Sequence, residues 1–309
     1  MATEDRVRAG RRTVVVPHPS RVLFPADGIT KRDLVSYYLA VAPWMLEHIR
    51  GRPLMVQRFP DGIDAGGFYQ KQLGTTFPTW VARVEVPRRE GGTILQAVGN
   101  DVAGLTALAA EACVSFHAWL SRSDHLEMPD RVVLDLDPPG TDFEMVRQTA
   151  LTLRALLDEL GLVPYVKTTG SRGLHVVAPI LPRTGFDDVR AFARRLAEAA
   201  ARRLPGLVTT EPRKADRGGR LYVDVMRNGY GQTAVAPYSL RARPGAPAAT
   251  PIAWEELQDP ALGPQTFKFA DVPTRLAQRG DPWAGMGQHA RSLAEPRRRL
   301  EGLLGASSS

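Results

Sequence analysis

Residues 131–140 read RVVLDLDPPG, an apolar run that ends in two aspartates. Alternate residues of a strand point to the same face. Val133, Asp135 and Asp137 therefore share one face, and Val132, Leu134 and Leu136 the other. Two neighbouring carboxylates at the end of a buried strand repel each other unless a positive group lies between them. A divalent metal meets that need. The alternative is a surface pair, or caps for the element after Pro138-Pro139. Both readings stand on this stretch alone.

Outward from that strand, the chain alternates strands and helices. DFEMVRQTALTLRALLDELGL is an amphipathic helix ending at Gly161. VPYVKTTG and GLHVVAPI are predicted strands around a Ser-Arg-Gly turn. FDDVRAFARRLAEAAARRLPG is a second helix, and GRLYVDVMRN a strand bearing a third acid, Asp224. On the N-terminal side, DVAGLTALAAEACVSFHAWL reads as a helix that breaks near Val114 to Phe116, with His117 near its end. ITKRDLVSYYLAVAPWMLEHIRG is helical with Thr30 as N-cap, while RPLMVQRFP, GGFYQKQL, VARVEVPRR and TILQAVG read as strands. No internal repeat is present. The pattern predicts an α/β (α+β) fold, with central mixed or antiparallel sheets packed by helices. Residues 1–12 read as a flexible N-terminus and 13–290 as one domain. That domain divides into an N-terminal module over 13–125 and a catalytic core over 126–260, followed by a polar tail over 291–309.

Composition narrows the class. The 309 residues carry a formal charge of +7, which suits an anionic partner, nucleic acid first. One cysteine, Cys113, excludes an intramolecular disulfide. No apolar run reaches the length of a membrane span, and the N-terminus lacks the apolar core of a signal peptide. The expectation is a cytoplasmic protein with no membrane partner.

Three features converge on phosphate chemistry: the Asp135/Asp137 pair, the stretch KTTGSRGLH over 167–175, and Asp224 in YVDVMRNG. Gly170 and Gly173 let backbone N–H groups approach an anion, while Thr169, Ser171, Arg172 and His175 add donors. A plain glycine hairpin with a solvated arginine fits that stretch equally well. Asp224 alone reads as a hydrogen-bonded structural group. Together, three acids and a phosphate cradle describe a two-metal phosphoryl-transfer site, for which oxygen ligands select Mg²⁺ or Mn²⁺. There is no zinc spacing and no GxxxxGK[ST] loop.

VLDLDPP, GSRGLHVVAP and VDVMRNGYGQTAVAPYSLRARPGAPAATPI resemble the polymerase domain of bacterial DNA ligase D, of the archaeo-eukaryotic primase superfamily. VLFPADGITKRDLVSYYLAVAPWMLEHIRGRPL, RFPDGIDAGGFYQKQ and FHAWLSRSDHLEMPDRVVLDLDPP extend the resemblance, which runs from Val14 to Trp283. It implies a primase-like catalytic core in which Asp135, Asp137 and Asp224 hold two Mn²⁺ or Mg²⁺ ions. It also implies that Thr169, Ser171, Arg172, Gly173 and His175 meet the nucleotide phosphates. Arg241 would contact the incoming nucleotide with help from Arg243, and His117 would lie near its sugar. Phe68 and Tyr69 would stack on the template. Lys71, outside what the resemblance implies, could touch the DNA backbone through its charge. Arg21 and Lys31 would capture a 5′-phosphate across a gap.

The residues by themselves leave bland readings open for several of these. One of the two rings could be core, Arg21, Lys31 and Lys71 could be solvated cations, and His117 a packed histidine. The implied activity is template-directed nucleotide addition at gapped, 5′-phosphorylated DNA ends during non-homologous end joining, favouring ribonucleotides over deoxyribonucleotides. The implied partners are nucleoside triphosphates, Ku and a separate ATP-dependent ligase, in the bacterial nucleoid. Rival readings are a primase-polymerase for priming or damage bypass, a non-catalytic DNA-end-binding module, and a metal-dependent phosphoesterase. Two departures stand out. Met226-Arg227 replaces a polar Ser-Gln of some members, and Gln57 precedes Arg58 where some carry lysine. The KxDG setting of a ligase nucleophile is absent at Lys167-Thr168-Thr169-Gly170 and at Lys214-Ala215-Asp216-Arg217.

Overall fold

The structure, a computed structural model, describes residues 4–305. In chain order the first elements are β1 (Glu4–Ala9), β2 (Arg12–Pro17), β3 (Val22–Phe24), β4 (Ile29–Thr30) and α1 (Lys31–Ile49). Next come β5 (Pro53–Arg58), β6 (Phe68–Gln70), β7 (Arg83–Pro87), β8 (Thr93–Val98), α2 (Val102–Ala110) and β9 (Cys113–Trp119). Then follow β10 (Arg131–Asp137), α3 (Phe143–Glu159), β11 (Tyr165–Thr168), β12 (Leu174–Pro179), α4 (Phe186–Arg203), β13 (Val208–Thr209) and β14 (Leu221–Asp224). The chain closes with β15 (Thr233–Val235), β16 (Pro251–Ile252), α5 (Asp271–Arg279) and α6 (Ala294–Gly305). Sheets and helices form two compact units, and the architecture is α+β with mainly antiparallel strands. No helix among the described residues is long and apolar enough to cross a membrane.

The first unit comprises the chain up to Asp124 with Thr233–Thr250 and Phe267–Asp281. Its main sheet runs β15-β9-β5-β8-β7, and β6 pairs with β5. Thr30 caps α1 as expected. Its hydroxyl accepts from the Asp33 amide at 3.3 Å and the Asp33 carboxylate accepts from the Thr30 amide at 2.8 Å, a reciprocal capping box. Leu34, Tyr38, Val41 and Met45 of α1 join Leu105, Leu108, Val114 and Phe116 in one buried cluster.

Two expectations fail in this unit. Residues 4–9, read as part of a flexible N-terminus, form β1 and pair antiparallel with β2, Val7 opposite Val14. Ala9, Val14 and Val16 are buried, and α2 packs against β2. A short alternation flanked by arginines hides this signal. The helix expected to break near Val114 instead ends at Ala110, and His117 lies in the strand β9, not at a helix end. All seven residues of β9 are buried. A fully buried strand shows no polar alternation and cannot be told from the apolar helix before it by periodicity.

The second unit comprises His125–Gln232, Pro251–Thr266 and the chain from Pro282. Its sheet runs β13-β14-β10-β12-β11-β16, with α3 and α4 packed on β10 and β12 or their neighbours. The strand predicted through Asn228 stops at Asp224 and gives way to a 3-10 turn over Met226–Asn228. Asn228 explains the turn. It is fully buried, its Nδ2 donates to the Val133 and Val225 carbonyls at 2.7 and 2.9 Å, and its Oδ1 accepts from the Val133 amide at 2.9 Å. One side chain thus replaces a rung of the ladder next to β10. In the polar tail, α6 buries Leu300 and Leu304. Residues 306–309 of the GASSS end lie outside the described residues.

Candidate functional site

In the second unit the strand register builds a row of titratable side chains. Asp224 of β14 lies opposite Asp135 of β10, Asp135 opposite His175 of β12, and His175 opposite Lys167 of β11. Directly opposed residues share a face. Asp137, two residues past Asp135, joins that face. The aspartate pair, the third acid and the KTTGSRGLH histidine are therefore brought together by three neighbouring strands, and β11 adds Lys167.

Three guanidinium groups and an imidazole hold this row. His175 Nε2 lies 3.4 Å and Arg227 Nε 3.3 Å from the Asp135 carboxylate. Arg172 is 2.8 Å and Arg217 3.5 Å from that of Asp137. Burial pushes the Asp135 carboxyl up, but His175 and Arg227 outweigh it and hold it well below the usual carboxylate range. Burial and the Lys167 charge bring His175 down to about 4, so its ring is neutral at pH 7. Asp224 is pushed up by burial and by Asp135 and Asp137, against the Met226 amide that donates to it at 2.8 Å.

The turn after β11 is shaped for close approach. Gly170 has φ +62°, and a Cβ at Gly173 would sit 1.8 Å from the Leu136 carbonyl oxygen. Only glycine fits at that distance. The Thr169 hydroxyl accepts from the Ser171 and Gly173 amides, each at 3.3 Å, and donates to the Gly173 carbonyl at 3.0 Å. Gln265 donates to the Ser171 carbonyl at 2.6 Å and fixes the loop from outside. The His175 Nδ1 is buried and has no hydrogen-bond partner. A polar ligand in this corner would satisfy it.

The donor set suits a hard divalent cation: three carboxylates on adjacent strands, with no thiolate. Yet among the described residues no three His, Cys, Asp or Glu side chains are gathered as a cation cage. The oxygens of Asp135 and Asp137 are turned to guanidinium and imidazole groups. The residues fit a metal in type and backbone position, and loading would require these cations to yield their places.

Several contributors escaped the sequence reading. Arg217 is anchored by donating to the Glu211 and Pro212 carbonyls at 3.2 and 2.9 Å, with its guanidinium 4.2 Å from the Tyr222 ring centre. The arginines in EPRKADRGGR look alike in sequence. Lys167 was quoted within its motif without a role, and Asn228 and Gln265 left no signal that spacing could show.

The first unit holds a separate cluster. The Lys31 amide donates to the Arg21 carbonyl at 2.8 Å, so the two cations sit where the turn meets the start of α1. Lys31 is buried, and burial lowers its pKa, with Glu111 opposing and Arg21 and Arg58 reinforcing the shift. Arg21 pairs with Asp61 at 2.8 Å. Arg58, missed as a site residue, donates to the Glu111 carboxylate and carbonyl, both at 2.9 Å, and lies 5.8 Å from the Phe68 ring centre. Phe68 and Tyr69 on β6 are 49% and 57% exposed, so neither ring is core. Tyr69 meets the buried His117 edge-on at 5.9 Å. Lys71, just past β6, is exposed. Arg241 is half-buried, its amide donating to the Pro247 carbonyl at 2.8 Å, and Arg243 is exposed.

The family model described as LigD, primase-polymerase domain, matches residues 30–283. The multifunctional non-homologous end joining DNA repair protein LigD of Mycobacterium tuberculosis is 35% identical over 282 residues, which is 88% of this chain and 37% of that protein. The multifunctional LigD of Pseudomonas aeruginosa is 34% identical over 304 residues, covering 97% of this chain and 36% of its own length. This chain thus spans little more than a third of these relatives. The structure of the polymerase domain from Mycobacterium tuberculosis ligase D in complex with DNA is similar with a TM-score of 0.83 at 34% identity, covering 91% of this chain and 99% of that one.

Proposed function

This chain belongs to the LigD primase-polymerase family, and on that premise we propose that it is a template-directed nucleotidyl transferase of non-homologous end joining. It would fill short gaps at DNA ends, with a preference for ribonucleotides. The observation that carries this reading is the row Asp224–Asp135–His175, with Asp137 beside it and the Gly173 turn at its end. Carboxylates on adjacent strands are unfavourable for folding and find a use where cations must be held against a polyphosphate.

In this reading Asp135, Asp137 and Asp224 hold two Mn²⁺ or Mg²⁺ ions. Those ions would lower the barrier to attack of a primer 3′-hydroxyl on the nucleotide α-phosphate and to departure of pyrophosphate. Arg172, the Thr169–Gly173 turn and His175 bind the triphosphate, Arg172 and Arg227 leaving the carboxylates. Arg241 and Arg243 are read as nucleotide contacts and His117 as a residue for its sugar. Phe68 and Tyr69, exposed on a short strand, suit sequence-independent stacking on a template base. Arg21, Lys31 and Arg58 set three cations against Asp61 and Glu111, and the surplus charge suits a 5′-phosphate at a helix start. Lys71 adds a DNA-backbone contact. The relatives' names supply the repair context, and the DNA in the similar structure supports DNA as partner. Ku and a separate ligase would supply end bridging and sealing.

The test is extension of a primer across a one-nucleotide gap with a 5′-phosphate, in Mn²⁺, with ribo- or deoxyribonucleotides and Asp135→Ala as control. Templated addition lost in the variant supports the reading, and the better nucleotide sets the sugar preference. No addition by the wild type, with DNA still bound, would favour an end-binding module instead. Synthesis without any primer would favour a priming enzyme.

A further inference from the structure

Arg241 is preceded by a backbone conformation that large residues avoid. Tyr238 has φ +65° and is 1% exposed. A bulky residue in the left-handed region is an outlier, held there only where its surroundings over-determine it, and such residues gather at functional sites.

The surroundings do over-determine it. The Tyr238 amide donates to the Ala249 carbonyl at 2.6 Å, and its carbonyl accepts from the Tyr37 hydroxyl at 2.8 Å. Its own hydroxyl donates to Asp281 Oδ1 at 2.6 Å. The other carboxylate oxygen of Asp281 lies 2.6 Å from His48 Nε2, and both side chains are almost fully buried. The hold continues along the chain. Ser239 Oγ accepts from the Phe116 amide at 2.8 Å, the Leu240 amide donates to the Tyr38 hydroxyl at 3.0 Å, and the Leu240 carbonyl accepts from Ser115 Oγ at 2.7 Å. Tyr238 and Leu240 are thus clamped by side chains from α1 and β9 and by Asp281 just past α5, Ser239 ties itself to the β9 backbone, and the next residue is Arg241. Apolar side chains would fill the same core without burying a carboxylate and an imidazole. What the polar clamp adds is one direction for the chain that leaves it.

We propose that Tyr238, held by Tyr37 and by the Asp281–His48 pair, is a positioning residue that fixes the backbone leading to Arg241. The proposal rests on the nucleotide role of Arg241, so the experiment separates the two.

ATP affinity in Mg²⁺ is measured on the full chain by fluorescence titration, with gapped-DNA affinity and melting temperature in parallel. The variants are Tyr238→Phe, Tyr37→Phe, Arg241→Gln and the double variant Tyr238→Phe/Arg241→Gln. Tyr37→Phe removes one hydrogen bond and no packing, and serves if Tyr238→Phe folds poorly. Each single variant is expected to weaken ATP binding by roughly tenfold, the scale of one lost contact to a charged group. DNA affinity should stay within about twofold, and in the Arg241→Gln background the Tyr238 change should add little, since coupled residues are not additive. If Arg241→Gln weakens ATP binding while both tyrosine variants bind it normally, the positioning role is overturned and the Arg241 role stands. Additive losses in the double variant also overturn it. If Arg241→Gln binds ATP like the wild type, the Arg241 role fails and the proposal falls with it.

Discussion

The acid row of the second unit and the cation cluster of the first are opposite solutions to placing charge. The row lies on four neighbouring strands of one sheet, and its acids already have partners: the His175 imidazole and Arg227 at Asp135, Arg172 and Arg217 at Asp137. The cluster is assembled from a turn, a helix start and a strand end, and around the buried Lys31 positive neighbours outnumber Glu111. The lesson is that the row is built to exchange one positive partner for another, while the cluster is built to gain a negative one. The exposed rings of Phe68 and Tyr69 stand beside the cluster.

The comparison can be broken most sharply at Asp137. Asp137→Ala is expected to reduce primer extension by about a thousandfold or more, on the scale of removing a group that stabilises transition-state charge. Gapped-DNA affinity, read by anisotropy, should hold or rise, because Arg172 and Arg217 lose their acid. Weaker DNA binding would mean that the row is a structural ion-pair network.

At the cluster, Phe68→Ala/Tyr69→Ala should weaken gapped-DNA binding by roughly tenfold to a hundredfold, given about 1–3 kcal/mol per stacked base. Both rings are exposed, so the melting temperature should not move. A fall in melting temperature without loss of DNA affinity would return them to packing.

Arg21→Gln/Lys31→Gln should cut the preference for a 5′-phosphorylated over an unphosphorylated gap by about tenfold and spare open primer extension. The difference should shrink as salt rises. Glutamine is chosen because a second buried carboxylate beside Glu111 would test folding instead. Equal loss on both substrates would remove the phosphate role.

The smallest effect is on stability. The Asp224 carboxyl is raised in the folded protein, chiefly by burial. Its contribution is therefore favourable below the unfolded-state pKa and is lost as pH rises through the folded value. At pH 7 in chelator, Asp224→Asn should raise the melting temperature by roughly 1–4 °C. The gain should vanish as pH falls into the carboxylate range. A pH-independent difference would trace it to packing rather than charge.

Legibility followed chemistry and local pattern. The Asp135/Asp137 spacing, the glycine turn and the Thr30 cap are signals written within a few residues, and the structure places each on the predicted kind of element. β9 and β1 were misread for opposite reasons: one is buried throughout and shows no alternation, the other alternates under charged neighbours. Arg58, Arg217 and Asn228 carried no distinguishing pattern, because their roles depend on partners 12 to 95 residues away or on anchoring geometry.

By itself the sequence determined which residues could carry charge chemistry, and that the acids of β10 share a face, since side-chain direction in a strand has a period of two. Only the tertiary structure decided that Asp224 stands opposite Asp135, that three arginines and a histidine hold the two acids of β10, and that Tyr238 is forced into a conformation it would not choose alone. Pairing partners and burial are non-local. They follow from which surfaces are removed from water together, and no short stretch of sequence contains that choice.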